Sequence, residues 1–474
     1  MSRDSASGTV RADLLPLRDQ DRILRERHNP VDRETLAAAA AIVDDVAARG
    51  DAAVRDHAVR LGDLVDDSPM IITRDQLHKT LSETEPEVRA ILERSAERIR
   101  TFADLQRQSV NDFQVATEGG VAGQRVIPVE TAGCYAPGGR YPLPSSVLMT
   151  AIAARSAGVQ HVIVATPRPQ PIMLAAAAVA GADEVLAVGG AQSIGAMAIG
   201  TEAVRRCDGI VGPGNRWVAA AKQYVSGRVA IDMIAGPSEL LILADADAPA
   251  EIVAADLIAQ AEHDVDAWPI LVTTGEELVS QVRQALEDQL QDLPTADVAR
   301  AALTQNGAAL VVRDRQTAFR LANALSVEHV EVLMNSPEDA LGCLHSYGGL
   351  FLGVQSAEVF GDYGAGPNHT LPTGGAARYA SGLSIFHFLR MRTWLKISSE
   401  IGGDGAATGV LPTRVVQASD RHDDPRHQQP AQVESETRSA GSRMKNLISD
   451  VAAFARLEGL EGHARAAELR MQYC

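Results

Sequence analysis

A glutamate and a histidine stand side by side as Glu328 and His329 in the string LSVEHVEVL. An imidazole near its ordinary pKa can accept an alcohol proton as hydride leaves, and a carboxylate beside it can activate water. The dipeptide alone has little specificity. Gln260 and His263, in AQAEHDVDAW, are three positions apart. On a helix that spacing puts an amide oxygen and an imidazole on one face, where both could bind a cation. A histidine with no metal is the commoner use of such a pair. Asp362, Asn368 and His369 lie in GDYGAGPNHTLPT, whose glycines and prolines mark a shaped loop. Ligation or proton transfer would suit that loop, and an Asx-type turn with exposed polar residues accounts for it equally well. Glu458 and His463, in LEGLEGH, are five positions apart. That is about 140° around a helix, so both can face one ligand only if Gly459 or Gly462 breaks the helix. Otherwise Glu458 covers a solvated face and His463 sits near a helix end.

Three glycine-rich turns follow strand-like runs: YAPGGRYPLPSS from Tyr135, VGGAQSIGAMAIG from Val188 and VGPGNRWVAAAK from Val211. Glycine allows close backbone approach to a cofactor, and Gln192 and Asn215 could orient one. None matches the dinucleotide fingerprint, because Trp217 stands where that motif needs a third glycine or alanine.

The elements that must position these residues alternate in type. DRETLAAAAAIVDDVAARG predicts an amphipathic helix capped by Asp32 and ended by Gly50, with Leu36, Ala39, Val43 and Val46 on one face. HVIVATP from His161, EVLAVGG from Glu184 and ELLILAD from Glu239 have strand length and turn-forming borders. Alanine-rich helical stretches separate them. This is the pattern of βαβ units, so the fold class is α/β, with a mostly parallel sheet covered on both faces. Between Gly402 and Ser442 no aromatic residue occurs and polar residues dominate, which predicts a mobile linker. Helical periodicity returns in MKNLISDVAAFARLEGLEGHARAAELRMQ.

At 474 residues the chain exceeds the size of one hydrophobic core, so two or more domains are expected. A formal charge of −17 disfavours a nucleic-acid partner, whose binding rests on clustered Lys and Arg. No apolar run reaches membrane-spanning length, and the first residues lack the apolar stretch of an export signal. Cys134, Cys207, Cys343 and Cys474 are far apart with no CxxC spacing, which fits a reducing cytoplasm better than a disulfide framework.

Taken in order, YAPGG, PSSVLM, VGGAQSIGAMAIGT, IVGPGN, IDMIAGPSELLILAD, VAADLIAQAEHD, the Glu-His pair, GDYGAGPNHTLPT and LEGLEGH resemble the histidinol dehydrogenase family. Together they are far more specific than any one of them. The resemblance implies that Gln260, His263, Asp362 and His463 bind one Zn²⁺ and that Glu328 and His329 act as catalytic bases. It also implies that Ser238, His369 and Glu458 contact the substrate, alongside His329 and the zinc ligands. Tyr135, Gln192 and Asn215 match positions that contact NAD. The implied fold is a pair of Rossmann-like doubly wound domains, one inserted in the other, with small terminal segments exchanged across a homodimer. On this chain that gives an N-terminal segment 1–27, a domain of 28–133 and 238–385 carrying zinc and catalytic residues, and an inserted NAD-binding domain 134–237. A C-terminal segment 386–474, with its linker at 402–442, would place Glu458 and His463 in a partner's site.

The implied reaction is oxidation of L-histidinol through histidinal to L-histidine, with two NAD. Three features depart from the family pattern. Ser326 and Val327 precede the Glu-His pair where Ala-Pro is usual, which predicts a looser turn. The loop reads GAGPNHTLPTGG rather than SGTNHVLPTYG, and the 402–442 stretch is long. These features resemble paralogues acting on other small alcohols, such as a sulfonated diol. Glu458 favours histidinol over that alternative, since a carboxylate suits a cationic amine. A zinc-stapled protein without catalysis is the third reading.

Overall fold

The structure, a computed structural model, describes residues 14–25, 31–65, 68–138, 142–397 and 430–474. Two largely parallel sheets organise it. In the first, Thr131–Tyr135 lies centrally, with His161–Ala165 then Glu184–Leu186 on one side and Gly209–Val211 then Ala230–Ile231 on the other. Ile71–Thr73 adds an antiparallel edge against Glu184–Leu186. In the second, Glu239–Ala244 is central, flanked by Trp268–Thr273 then Ala308–Val311 and by His329–Leu333 then Gly349–Leu352, all parallel. The two sheets therefore share one strand order. A small antiparallel sheet of Phe113–Thr117, Gly120–Pro128 and Leu389–Ile397 completes the strands among the described residues.

The expected local elements form where the pattern places them. The helix Arg33–Arg49 starts at Asp32, whose carboxylate accepts from the Thr35 amide, and buries Ala39, Val43 and Val46. The helix Pro171–Ala180 buries a run of alanines, whose small side chains let its backbone lie close to the strands. All six residues of Glu239–Ala244 are buried, as an apolar run covered on both faces should be.

Two expected boundaries are corrected. Residues 28–133 are expected with 238–385, yet Val43, Val46 and Val54 pack with Ile163 and Leu186 of the first sheet and with Ile194 of the helix Gly190–Ile199 that covers it. Leu92, Ala96 and Ile99 pack against its other face with Leu148 and Ile152. The periodicity of those helices is correct. What periodicity cannot say is which sheet an apolar stripe covers. The second sheet instead takes the N-terminal segment: Leu14 and Leu15 join its core, and Leu17 bridges to Ala309. The second correction concerns the linker. The helix Pro430–Leu457 begins twelve residues before the expected linker end at Ser442, because Glu, Gln, Ala and Arg favour helix without needing burial. The rest of that linker, up to 429, lies outside the described residues.

Candidate active site and metal centre

The site forms where the two sheets meet end to end. Tyr135 closes the central strand of the first sheet, and Gly212 follows the strand beside it. Gly212 has φ +113, and a Cβ there would sit 2.0 Å from the Tyr135 carbonyl oxygen, so only glycine fits. The second sheet presents its opposite end. Glu239 and His329 are the first residues of its two central strands. Between the sheets lies a cleft of about 800 Å³, lined in part by Asn215, Ser238, His263, Glu328 and His369.

Three candidate ligands converge. His263, Asp362 and His463 offer ligand atoms that all lie within 4.8 Å of one another. His463 Nε2 stands 2.9 Å from His263 Nε2 and 3.6 Å from Asp362 Oδ2. His263 follows the helix Ala250–Ala261, while Gln260, one turn back, is fully buried with neither side-chain amide atom hydrogen-bonded. An unpartnered buried amide is costly. A cation is one partner that would satisfy it.

Local breaks aim the remaining donors. The helix before Glu458 ends at Leu457, Gly459 turns the chain with φ +77, and helix resumes at Glu461. The helix is thus interrupted at Gly459, and Glu458 and His463 are both buried. Asp362 ends the short helix Glu358–Asp362. In the following loop Asn368 makes the turn, its side-chain oxygen accepting from the Thr370 amide. His369 enters the site: its Nδ1 pairs with the Asp362 carbonyl and its Nε2 lies 3.3 Å from Ser146 Oγ.

The electrostatics separate the roles. Burial lowers the His263 pKa to about 3, keeping its ring neutral and able to ligate. Burial opposes charge on His463 too, but the carboxylates of Asp362 and Glu262 lift it to about 9. Glu262 holds that ring through Nδ1 at 2.7 Å, and accepts from the Gly462 and His463 amides. Burial would raise Asp362, yet the surrounding histidines hold it well below the usual carboxylate range.

Glu328 is pushed well above that range by burial and by Glu239 and Asp362. Its carboxylate accepts from the Glu239 amide at 2.9 Å, and the Glu328 amide in turn donates to the Glu239 carboxylate at 3.2 Å. His329 is kept neutral by burial. Its Nδ1 faces the Glu239 carbonyl at 3.1 Å, so the proton belongs there and Nε2 keeps its lone pair, 3.9 Å from Asp362 Oδ1. The turn ahead of this pair is tight despite the missing proline. Ser326 takes φ +52, a conformation that a following proline disfavours, and Val327 is fully buried.

The candidate NAD residues divide. Asn215 lines the cleft and caps the helix Arg216–Val225 through bonds from the Trp217 and Val218 amides. Tyr135 and Gln192 sit deeper, holding the Gly189 to Gln192 turn: the Tyr135 hydroxyl accepts from the Gly190 amide, and Gln192 donates to Asp63. The tip of the first glycine-rich turn, 139–141, lies outside the described residues.

Comparison with known proteins decides the family. The histidinol dehydrogenase family model matches residues 25–408. The chain belongs to the histidinol dehydrogenase family. It is 40% identical over 405 residues to the histidinol dehydrogenase of Bordetella parapertussis, covering 84% of this chain and 90% of that one. With that of Aquifex aeolicus it shares 42% over 393 residues, 82% and 92% of the two chains. The crystal structure of histidinol dehydrogenase from Elizabethkingia anophelis superposes with a TM-score of 0.76 at 29% identity, over 98% of this chain and 99% of that one. Membership makes this chain an oxidoreductase of α/β fold.

Within a histidinol dehydrogenase framework, sequence reasoning passed over Glu262, Glu239 and Glu358. Glu262 stands beside His263 in AEHD and was legible as a carboxylate backing a ligand. Glu239 and Glu358 gave no signal, since each lies in an otherwise ordinary apolar run. The expectation that His463 serves a partner's site differs from the geometry here, where it meets His263 and Asp362 of its own chain. The connecting residues 398–429 lie outside the described residues.

Proposed function

We propose that this protein oxidises L-histidinol through histidinal to L-histidine in histidine biosynthesis, using one Zn²⁺ and two NAD in turn. The observation that carries the proposal is the convergence of His263, Asp362 and His463 beside His329 and its neighbour Glu328, with His263 and Glu328 opening on the cleft. Two neutral-capable imidazoles, a carboxylate and an unpartnered amide make a nitrogen and oxygen donor set that fits zinc. Zinc held by Gln260, His263, Asp362 and His463 would supply Lewis acidity and open positions for the substrate's amine and ring nitrogen. NAD at the Asn215 side would accept hydride in each half-reaction.

The chain's own residues do the proton work. His329 Nε2 takes the hydroxyl proton, its Nδ1–H held by the Glu239 carbonyl so that the lone pair faces the substrate. Glu328, whose burial raises its pKa, serves as base for the water that hydrates the aldehyde once its carboxyl has released its own proton into the cleft that it lines. Ser238 and His369 line the substrate's space. Glu458 meets the substrate's cationic end in this reading.

One observation favours oxidation of another small alcohol. Glu458 Oε1 is already bonded to the Ser145 amide, and burial lifts its carboxyl to about 8, which weakens the charge preference for an amine. Absorbance at 340 nm with NAD separates the readings. Reduction of two NAD per histidinol, lost in His329→Ala and on chelation, supports histidinol; turnover of other alcohols alone supports the second. We further propose a homodimer and a reducing cytoplasm, the latter in keeping with the four free cysteines. No helix of the described residues is long and apolar enough to cross a membrane.

A further inference from the structure

Among the described residues, Arg470 is the largest fully buried side chain. It lies two helical turns after His463, in the closing turn of the chain. Its Nη1 and Nη2 donate to the two carboxylate oxygens of Asp256 at 2.6 Å each. Nη1 also donates to the Ala466 carbonyl and Nε to the Val354 carbonyl, both at 3.0 Å.

Each partner leads to a candidate metal donor. Asp256 sits one turn before Gln260 on the helix Ala250–Ala261, whose end delivers His263. Val354 is in the loop that enters the helix Glu358–Asp362. Arg470 itself shares a segment with His463. One guanidinium thus bonds to all three stretches that carry the four donors. The layer behind the site is closed by Glu331, which follows His329 along its strand and accepts from the Glu358 amide at 2.6 Å.

Stability does not explain such a group. A buried ion pair replaced by well-packed apolar side chains is often neutral or stabilising, because desolvation offsets the attraction. A planar fork that fixes two oxygens, however, supplies direction that an apolar contact lacks.

We propose that Arg470 is the positioning residue of the metal centre: its paired bonds to Asp256 and its bond to Val354 set the register in which the C-terminal segment presents His463 to His263 and Asp362. This rests on the reading that those donors hold zinc. It adds a role for a residue distant from the cleft.

The test uses metal-stripped full-length protein and competition for zinc with a chromophoric chelator, with NAD affinity and thermal unfolding followed in parallel. The double variant Asp256→Leu with Arg470→Met removes both charges together. We expect it to fold, to bind NAD as the parent does, and to hold zinc 10–100-fold more weakly, the usual loss for a group that orients ligands. Parent-like zinc affinity in that folded variant overturns the proposal. If the double variant does not fold, Arg470→Lys decides, since it keeps the charge and loses the fork. Weaker zinc at an unchanged melting temperature supports the proposal, and unchanged zinc affinity overturns it. His463→Ala guards the parent reading: if it too binds zinc normally, the metal assignment fails rather than the role of Arg470 alone.

Discussion

The two parallel sheets have the same strand order and put opposite ends of it to use. The first sheet meets the cleft with its carboxyl ends, where the helices Gly190–Ile199 and Arg216–Val225 begin. Helix N-termini carry free amides and positive partial charge, which suits the phosphates of a dinucleotide. The second sheet meets the cleft with its amino ends, where the helix Ala250–Ala261 terminates. A helix C-terminus carries negative partial charge, which suits a metal ion and a cationic substrate. The usual rule that ligands lie beyond the carboxyl ends of an open sheet therefore locates only the first half of the site. The second half is set by side chains at the starts of strands, and by the C-terminal segment that brings His463.

If the halves are separable, variants should damage one and spare the other. The largest effect is expected from His329→Ala, which should lower kcat by ~10²–10⁴-fold while zinc content and NAD affinity hold. Stopped-flow absorbance and fluorescence titration would check this, and loss of NAD binding would mean the halves are coupled. Gly212→Ala should act on the other half. Its forced φ and its contact with the Tyr135 carbonyl should weaken NAD binding by ~10-fold or more, with zinc affinity unchanged.

The contrast between the two halves also marks what the sequence alone made legible. The alternation of strands and helices and the capped helix after Asp32 follow from periodicity and capping chemistry, which act over a few residues, whereas the pairing of two domains came from the resemblance and the break at Gly459 was one of two that glycine allowed. The site residues were legible as types at suggestive spacings, and the resemblance supplied their roles. What escaped was tertiary. Nothing in the apolar stripe of Val43 and Val46 names the sheet it covers. Nothing in LRMQYC shows that Arg470 is buried against Asp256. Tyr135 and Gln192, matched to NAD-contacting positions by the resemblance alone, lie at the carboxyl ends of the first sheet's strands, where the Tyr135 hydroxyl accepts from the Gly190 amide and Gln192 donates to Asp63.

A smaller effect should come from pH. The Glu458 carboxyl has an ordinary value of 4.5 and is raised to about 8 in the fold. The folded protein therefore holds a proton that the unfolded chain has lost, so stability is fully present below pH 4.5 and is lost as pH rises through about 8. In metal-stripped protein, Glu458→Gln should flatten that fall in calorimetric scans, and a variant as steep as the parent would count against the burial argument. The smallest effect is expected at Asp450, which takes bonds from Arg94 and Arg98 and so ties the C-terminal helix to Pro86–Gln108. Asp450→Asn should cost about 1–2 kcal/mol in denaturant unfolding and leave both halves of the site active.

The proposed function requires a single cation held by four separated donors at the amino ends of the second sheet. Anomalous diffraction at the zinc edge, from crystals grown with histidinol and NAD, addresses this directly. The expected result is one peak per chain bounded by Gln260, His263, Asp362 and His463, with the nicotinamide on the Asn215 side of the cleft. A peak elsewhere, or full zinc occupancy with Gln260 and His463 turned away from it, would contradict the account.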